Sequence, residues 1–358
     1  MLWNISLSDL LDRPAKQVYG EEATLLIEGQ TVLVTGAGGS IGGEIVKQLA
    51  LLGAARIICV DRDEYALYTS QIERTGAALM SESNIYLCDI QDFVQIEAII
   101  AETKPSLVFH AAAYKHVPTL ERMPSAAILT NIMGTENVMR ASAQHGVRRV
   151  VNISTDKAAN PVTVLGMSKR VAEMVALYYA DTRTQVASVR FGNVLGSRGS
   201  FVETMVRQIQ SGQPVTITDT DMTRYFMTIP QAAGLVIEAA VLANGGRTYV
   251  LDMGEPVRIV DLVKKYATLA GVAEPEITIT GRRPAEKLHE ELFDQRELCE
   301  PTKYPEISMV QVGQGSSNLL EVLQELYIEA RRGVNAVELR AQLESIVQIS
   351  DVIPTARV

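Results

Sequence analysis

The stretch "ISTDKAANP", residues 153–161, sets a hydroxyl, an acid and a base side by side: Thr155, Asp156 and Lys157. The apolar run before it, "RRVVNI", reads as a buried strand, so the three groups are expected at that strand's carboxyl end. In an open α/β sheet that edge is where ligands bind. A simple oxidation–reduction has no use for a neighbouring acid and base. An elimination uses both, one group removing a carbon-bound proton while the other protonates a departing hydroxyl. The plainer alternative is a solvated ion pair in a loop.

A second polar group lies in "HAAAYKHVP", residues 110–118, which follows another apolar run and emerges at the same edge. Ala111 and Ala112 are small enough for a nucleotide to lie against them. Lys115 and His116 beyond them either reach a substrate or belong to a surface or an interface. Lys169 falls near the start of the helix after the Asp156–Lys157 loop, where it is expected to point at a cofactor.

These residues need a frame, and "QTVLVTGAGGSIGGEIVKQLALLG" supplies its first unit: strand, glycine turn, helix, glycine stop. Gly36, Gly39 and Gly42 are spaced three apart, with Ser40 and Ile41 opening the helix. Such a turn lets the backbone approach a pyrophosphate resting on the helix N-terminus, the mark of a dinucleotide-binding fold. Asp61 closes the next strand, "IICVD", and is expected to accept hydrogen bonds from ribose hydroxyls. At about 4 Å a 2′-phosphate would meet roughly 4 kcal/mol of repulsion per charge pair, at an effective dielectric of about 20. That favours NAD over NADP; Arg62 next door offsets it by pairing with the phosphate and keeps NADP open. Asp89, with Ile90 beside it in "CDI", either touches the adenine or caps a strand end.

Further apolar runs, "SNIYLCDI", "PSLVFHAAA" and "QVASVRFGNV", alternate with amphipathic stretches such as "AAILTNIMGTENVMRASAQHG". Short strands alternating with helices imply a parallel sheet covered on both faces, the doubly wound α/β plan. After about residue 193 the rhythm becomes irregular, as in a smaller C-terminal lobe built from insertions. The expected division is an N-terminal segment, 1–28, and a Rossmann-like cofactor domain, 29–192 with 223–253. A substrate lobe, 193–222 with 254–345, and a tail, 346–358, complete it. No internal repeat or low-complexity segment is evident.

A net charge of −9 argues against nucleic acid or an anionic membrane as the main partner. Cys59, Cys88 and Cys299 lack metal-site spacing, and the first two fall in expected strands, so packed, reduced thiols and no metal are expected. No run approaches the roughly 18 apolar residues of a membrane span, and the N-terminus lacks a signal-peptide pattern. The expected setting is the cytoplasm.

Taken in order, "VTGAGGSIG", "HAAAYKHVP", "TNIMGTENV", "STDKAANP", "RFGNVLGSRGS", "DMTRYFM" and "RRPAEKLHEEL" resemble the nucleotide-sugar 4,6-dehydratases of the capsule and polysaccharide biosynthesis group. These are extended short-chain dehydrogenase/reductases, typified by UDP-N-acetylglucosamine 4,6-dehydratases, and the resemblance runs from about residue 20 to about residue 300. "ISLSDLLDR" is similar to the segment that joins a membrane-spanning region to the catalytic domain in long members. Two forms are therefore open, a natural short form and the soluble part of a membrane-anchored protein.

The resemblance implies a UDP-sugar substrate, with a GDP-sugar open, and NAD or NADP as cofactor. It implies oxidation at C4 of the hexose, loss of water across C5 and C6, and return of the hydride to C6. By position, Asp156 matches the acid for the C6 hydroxyl and Lys157 the base at C5. Thr155 matches the partner of the C4 oxygen and Lys169 the holder of the nicotinamide ribose. Asn193, Arg198, Arg224, Arg283 and Glu286 match positions that bind the nucleotide's diphosphate, base and ribose. A homo-oligomer is implied too, through helices such as those holding residues 125–144 and 165–180.

The departure is Leu165. The superfamily keeps a tyrosine there, four residues before the lysine, as its acid–base group, and long members of this dehydratase group have methionine. With leucine, Asp156 is expected to take the C4 hydroxyl proton, through Thr155 or a water, and later to serve as the C6 acid. Two other readings stay open: a nucleotide-sugar 4-epimerase, and a catalytically silent NAD-binding regulator.

Overall fold

The computed structural model describes residues 5, 7–12, 19–76, 84–181, 183–313 and 318–350. Parts of the expected N-terminal segment, and the expected tail from residue 351 on, lie outside them. Branched apolar residues build the central sheet. In β1 (Thr31–Thr35) Val32 and Val34 enter one core and Leu33 the other, as the two-residue period of a strand requires. β2 (Arg56–Asp61), β4 (Leu107–His110), β5 (Arg149–Ile153) and β6 (Gln185–Arg190) share that double burial, while the edge strand β3 (Ile85–Leu87) is only partly covered; the parallel order is β3-β2-β1-β4-β5-β6. The chain winds outward from β1 to β3 and then returns to β4. The carboxyl ends of β1 and β4 therefore flank the crevice where such sheets take ligands.

One face is covered by the helices Phe93–Thr103, Gly134–Gln144 and Val164–Tyr179, the other by Ser40–Leu51 and Ile229–Leu242. The strand Arg247–Leu251 continues the sheet parallel to β6. Beyond it, Ile307–Val310 and Cys299–Pro301 add two antiparallel edge strands.

The small lobe has a core of its own, in which Leu195, Val206, Ile217, Phe226, Leu262 and Tyr266 meet. Leu10 of the short helix Leu7–Leu10 is buried there as well. The lobe is smaller than the expected 254–345 portion. Strands 299–301 and 307–310 belong to the main sheet, and Leu319–Arg332 and Ala336–Ser350 pack on its core through Leu323, Leu326, Leu343 and Val347. Their apolar stripes need a layer to cover, and the main sheet offers it.

This return alters the surface expected to join subunits. The Val164–Tyr179 helix is buried from Val164 through Ala176 within a single chain, and most of 127–142 is buried too. The C-terminal helices thus share a core with the segments expected to meet a partner. Cys59 lies buried in β2 as expected; Cys88 is buried just past β3, and Cys299 is exposed. Among the described residues no helix is long and apolar enough to cross a membrane.

Under the carboxyl edge lies a buried charge cluster. Arg190, at the end of β6 and 0% exposed, donates to both oxygens of Glu173 at 2.7 Å, and to those of Glu297 at 2.7 and 2.8 Å. Arg170 donates to Glu297 Oε1 at 2.7 Å, and Ser154 Oγ to Glu173 Oε1 at 2.6 Å. Arg190→Met removes the shared cation and leaves two buried carboxylates short of a partner. Urea denaturation is expected to register a loss of about 3–5 kcal/mol.

Candidate active site

The glycine turn earns its composition from close approach. Gly36 has φ +68°, and a Cβ there would stand 2.7 Å from the Ala112 nitrogen. A Cβ on Gly42 would stand 2.1 Å from the Gly36 carbonyl oxygen, so the helix can start only where residue 42 has no side chain. Gly38, which the three-residue spacing passes over, is as constrained: its Cβ would fall 2.5 Å from that of Ala66. The Gly38 N–H donates to Asp61 Oδ2 at 3.0 Å, and the Asp63 N–H to Asp61 Oδ1 at 3.1 Å. The carboxylate at the tip of β2 is thereby fixed beside the turn.

Turn and acid open on a cavity of about 240 Å³, lined by Gly36, Gly39, Asp61, Arg62, Asp89, Ile90, Ala111, Ala112 and Tyr114, among others. Eight of the expected cofactor residues are thus gathered at one place, while Ser40, Ile41 and Gly42 form the helix start behind it. Arg62 lies over the Tyr114 ring, 4.4 Å from its centroid, and faces Asp89 at 3.5 Å. Asp89 also accepts from the Gln91 N–H at 3.0 Å, so it caps the turn and lines the cavity together. A turn stripped of side chains beside an oriented carboxylate fits an adenine dinucleotide. Gly36, Gly39 and Asp61 would hold its diphosphate and ribose.

At the end of β5 the acid and base meet. Lys157 Nζ donates to Asp156 Oδ1 at 2.9 Å, and Thr155 Oγ1 donates to the same oxygen at 2.9 Å. Asp156 is 2% exposed, and its other oxygen, Oδ2, is buried with no hydrogen-bond partner. A Cβ on Gly192 would come within 3.0 Å of that oxygen and would crowd it. Glu290, which no spacing in the sequence marks, lies 3.6 Å from Lys157 Nζ on the other side. Burial works against the Lys157 charge, but Asp156 and Glu290 outweigh it and raise the ammonium's pKa above the usual lysine range.

Lys169 donates to the Ile153 carbonyl at 2.7 Å, and burial pushes it down to about 8 against the pull of Glu173. Burial of His110, with the nearby Lys169 charge added, pushes its pKa down to about 3, and that neutral ring bridges Thr35 and Thr135 at 2.7 and 2.9 Å. Leu165, four residues before Lys169, is 5% exposed and belongs to the apolar core.

The expected substrate residues fall into two groups. Lys115 Nζ donates to Ser197 Oγ at 3.3 Å, and His116 packs where a Cβ on Gly199 would stand. Both thus meet the loop of Arg198, which itself reaches the cofactor cavity. Arg224 is buried, and its guanidinium donates to the carbonyls of Thr223, Lys287 and Leu288. It holds the 283–290 loop in place and faces Glu286 at 3.7 Å and Glu290 at 3.8 Å. Arg283 and Glu286 close a turn of that loop, while Asn193 pairs through its N–H with Tyr225. Among the described residues no cluster of His, Cys, Asp and Glu is suited to a metal ion.

A family model described as "Polysaccharide biosynthesis protein" matches residues 32–312. The probable polysaccharide biosynthesis protein EpsC of Bacillus subtilis is 41% identical over 361 residues, covering 99% of this chain and 59% of that protein. The capsular polysaccharide biosynthesis protein CapD of Staphylococcus aureus is 43% identical over 312 residues, covering 86% of this chain and 52% of that protein. The chain thus spans only 59% and 52% of the length of these two relatives. The solved structure of Pen from Bacillus thuringiensis superposes with a TM-score of 0.72 at 32% identity, covering 79% of this chain and 88% of that one. UDP-glucose 4-epimerases and a dTDP-glucose 4,6-dehydratase are among the other matches.

Because the Lys169 amine is more acidic here than in an unfolded chain, the unfolded state binds more protons between pH 8 and the usual lysine value. The stability penalty of its buried charge is full below pH 8 and fades as pH rises through that window. The stability difference between Lys169→Met and the parent, read by urea denaturation, should therefore shift toward the parent from about pH 8 upward.

Proposed function

Because the chain belongs to the polysaccharide biosynthesis protein family, we propose that it dehydrates a nucleotide-linked N-acetylhexosamine, UDP-N-acetylglucosamine, to the 4-keto-6-deoxy sugar nucleotide. The coarser statement, a dehydratase- or epimerase-type enzyme of nucleotide sugars, is common ground with its relatives. The observation that carries the finer one is the buried Asp156–Lys157 pair at the end of β5, with a free carboxylate oxygen beside Gly192.

Bound NAD supplies the hydride acceptor needed at C4 and the donor needed at C6. The cradle of Gly36, Gly38, Gly39 and Asp61, together with Ala111, Ala112 and Lys169, would hold it. Everything else is proton transfer. The Thr155 hydroxyl passes the C4 hydroxyl proton to Asp156, whose Oδ1 it already faces. Asp156 then protonates the C6 hydroxyl as it leaves, while Lys157 takes the proton from C5, acidified by the C4 ketone. Leu165 has no proton to give, so this route does without a phenol. Arg198 at the cofactor cavity, with Lys115 beside its loop, and Arg283 offer cations suited to a nucleoside diphosphate, and Glu286 offers a carboxylate suited to ribose hydroxyls.

A 4-epimerase is the competing reading, favoured by the likeness to UDP-glucose 4-epimerases. Epimerisation shares the C4 oxidation but has no use for an acid–base pair directed at C5 and C6. Incubated with UDP-N-acetylglucosamine and NAD, the protein is expected to give a 4-keto-6-deoxy product by NMR; a C4 epimer would establish the competitor. Asp156→Asn is expected to slow even the first hydride transfer, followed as reduced cofactor in a single turnover, by about 10²-fold or more. An unchanged burst would refute the assignment of Asp156 to the C4 proton.

A further inference from the structure

The proposed reaction leaves one difficulty. Lys157 must be a neutral amine to take the C5 proton, yet it is held as an ammonium between two carboxylates. The charged and titratable groups around it are Asp156 on its own turn, Glu290 and Glu286 from the 283–290 loop, and Arg224 and Tyr225, which lie next to each other after Thr223. Lys157 and Arg224 face Asp156, Glu290 and Glu286, a net charge of −1. Once Asp156 has received the C4 proton, that set is neutral and Lys157 has lost its nearest anion. Among the described residues, Glu290 is the carboxylate besides Asp156 within ion-pair reach of Nζ, at 3.6 Å, with its side chain 8% exposed.

We propose that Glu290 is a proton store for Lys157: it takes the ammonium proton after C4 oxidation and returns it at the end of the cycle. The inference rests on the dehydratase reading. The protons balance through every step. The resting site holds ionised Asp156, protonated Lys157 and ionised Glu290. The C4 hydroxyl proton passes to Asp156, and Lys157 then passes its own to Glu290 Oε1. Lys157 removes the C5 proton as the C5–H electron pair forms the C5–C6 double bond; the C6–O bond breaks, and Asp156 protonates the oxygen, which leaves as water. When C6 is reduced, Lys157 gives its proton to C5. Glu290 then returns the stored proton to Lys157. Arg224, 3.8 Å away, disfavours a neutral Glu290 and so makes storage temporary. The anchoring of Arg224 to three backbone carbonyls keeps that bias fixed.

Glu290→Gln separates this role from a purely electrostatic one. If Glu290 only stabilises the ammonium, removing it frees the amine, and turnover at pH 7 holds or rises. If Glu290 stores the proton, turnover of the holoenzyme with UDP-N-acetylglucosamine falls by about 10²-fold at pH 7. It should then recover about tenfold per pH unit as solvent takes the proton instead. The C4 step should survive, so reduced cofactor accumulates in a single turnover and deuterium from heavy water no longer enters C5. Glu290→Asp, which keeps a carboxylate, should restore part of the rate with a flat pH profile, and added acetate should rescue Glu290→Ala. Undiminished turnover in Glu290→Gln, or a Glu290→Asp profile as steep as that of Gln, would overturn the storage role. A parent enzyme that makes only a C4 epimer would instead remove the dehydratase reading, and the storage role with it.

Discussion

The site depends on a charge pairing that lies beneath it. Arg190 is fully buried and divides its guanidinium between Glu173, on the helix that carries Lys169, and Glu297, on the chain returning from the lobe. A buried carboxylate without a cation is expensive enough that none of these elements can shift alone. Glu173 also accepts from Ser154, one residue before Thr155, so the cluster sets the height at which the reactive loop leaves β5. Glu173 further opposes the effect of burial on Lys169. Structural ion pairs and reactive groups thus share one electrostatic system, with arginine used where a planar fork can serve two carboxylates.

A second constraint is steric. The turn after β1 and the chain after β4 approach so closely that Gly36 would collide with Ala112 if it carried a Cβ, and Gly42 would strike Gly36. Tight packing here leaves backbone, rather than side chains, on the glycine-turn side of the cavity. The cost of such glycines in chain entropy is accepted where close approach is the function.

Much of this was legible in the sequence because the signals are local. The two-residue burial pattern of β1 and β4, the glycine spacing and the acid closing β2 each lie within one short window, and the structure gathers those residues around one cavity. Gly38 escaped because its constraint comes from Ala66, on the next helix. Glu290 escaped because nothing local distinguishes it from Glu291, which pairs outward with Lys287 and Asn160. Arg224 was legible as a cation but not as a loop anchor, since its carbonyl partners come from 287 and 288. The return of 299–350 to the main sheet was hidden for another reason. Its strands are short antiparallel edges, and an amphipathic helix does not say which core it covers.

Leu165 makes sense within this frame. A phenol at that position needs a nearby cation to hold its anion, and a buried lysine is what the fold supplies. Without the phenol, Lys169 has no phenolate to stabilise, and burial outweighs the pull of Glu173 and brings its pKa down to about 8. Its amine instead donates to the Ile153 carbonyl, which fixes the end of β5 two residues before Thr155. The lysine then works as a hydrogen-bonding post at the end of β5, and the proposed proton route runs instead through Asp156 and Glu290. An apolar residue at 165 suits that division: it fills the core between helices and adds no second titrating group to disturb the balance around Asp156.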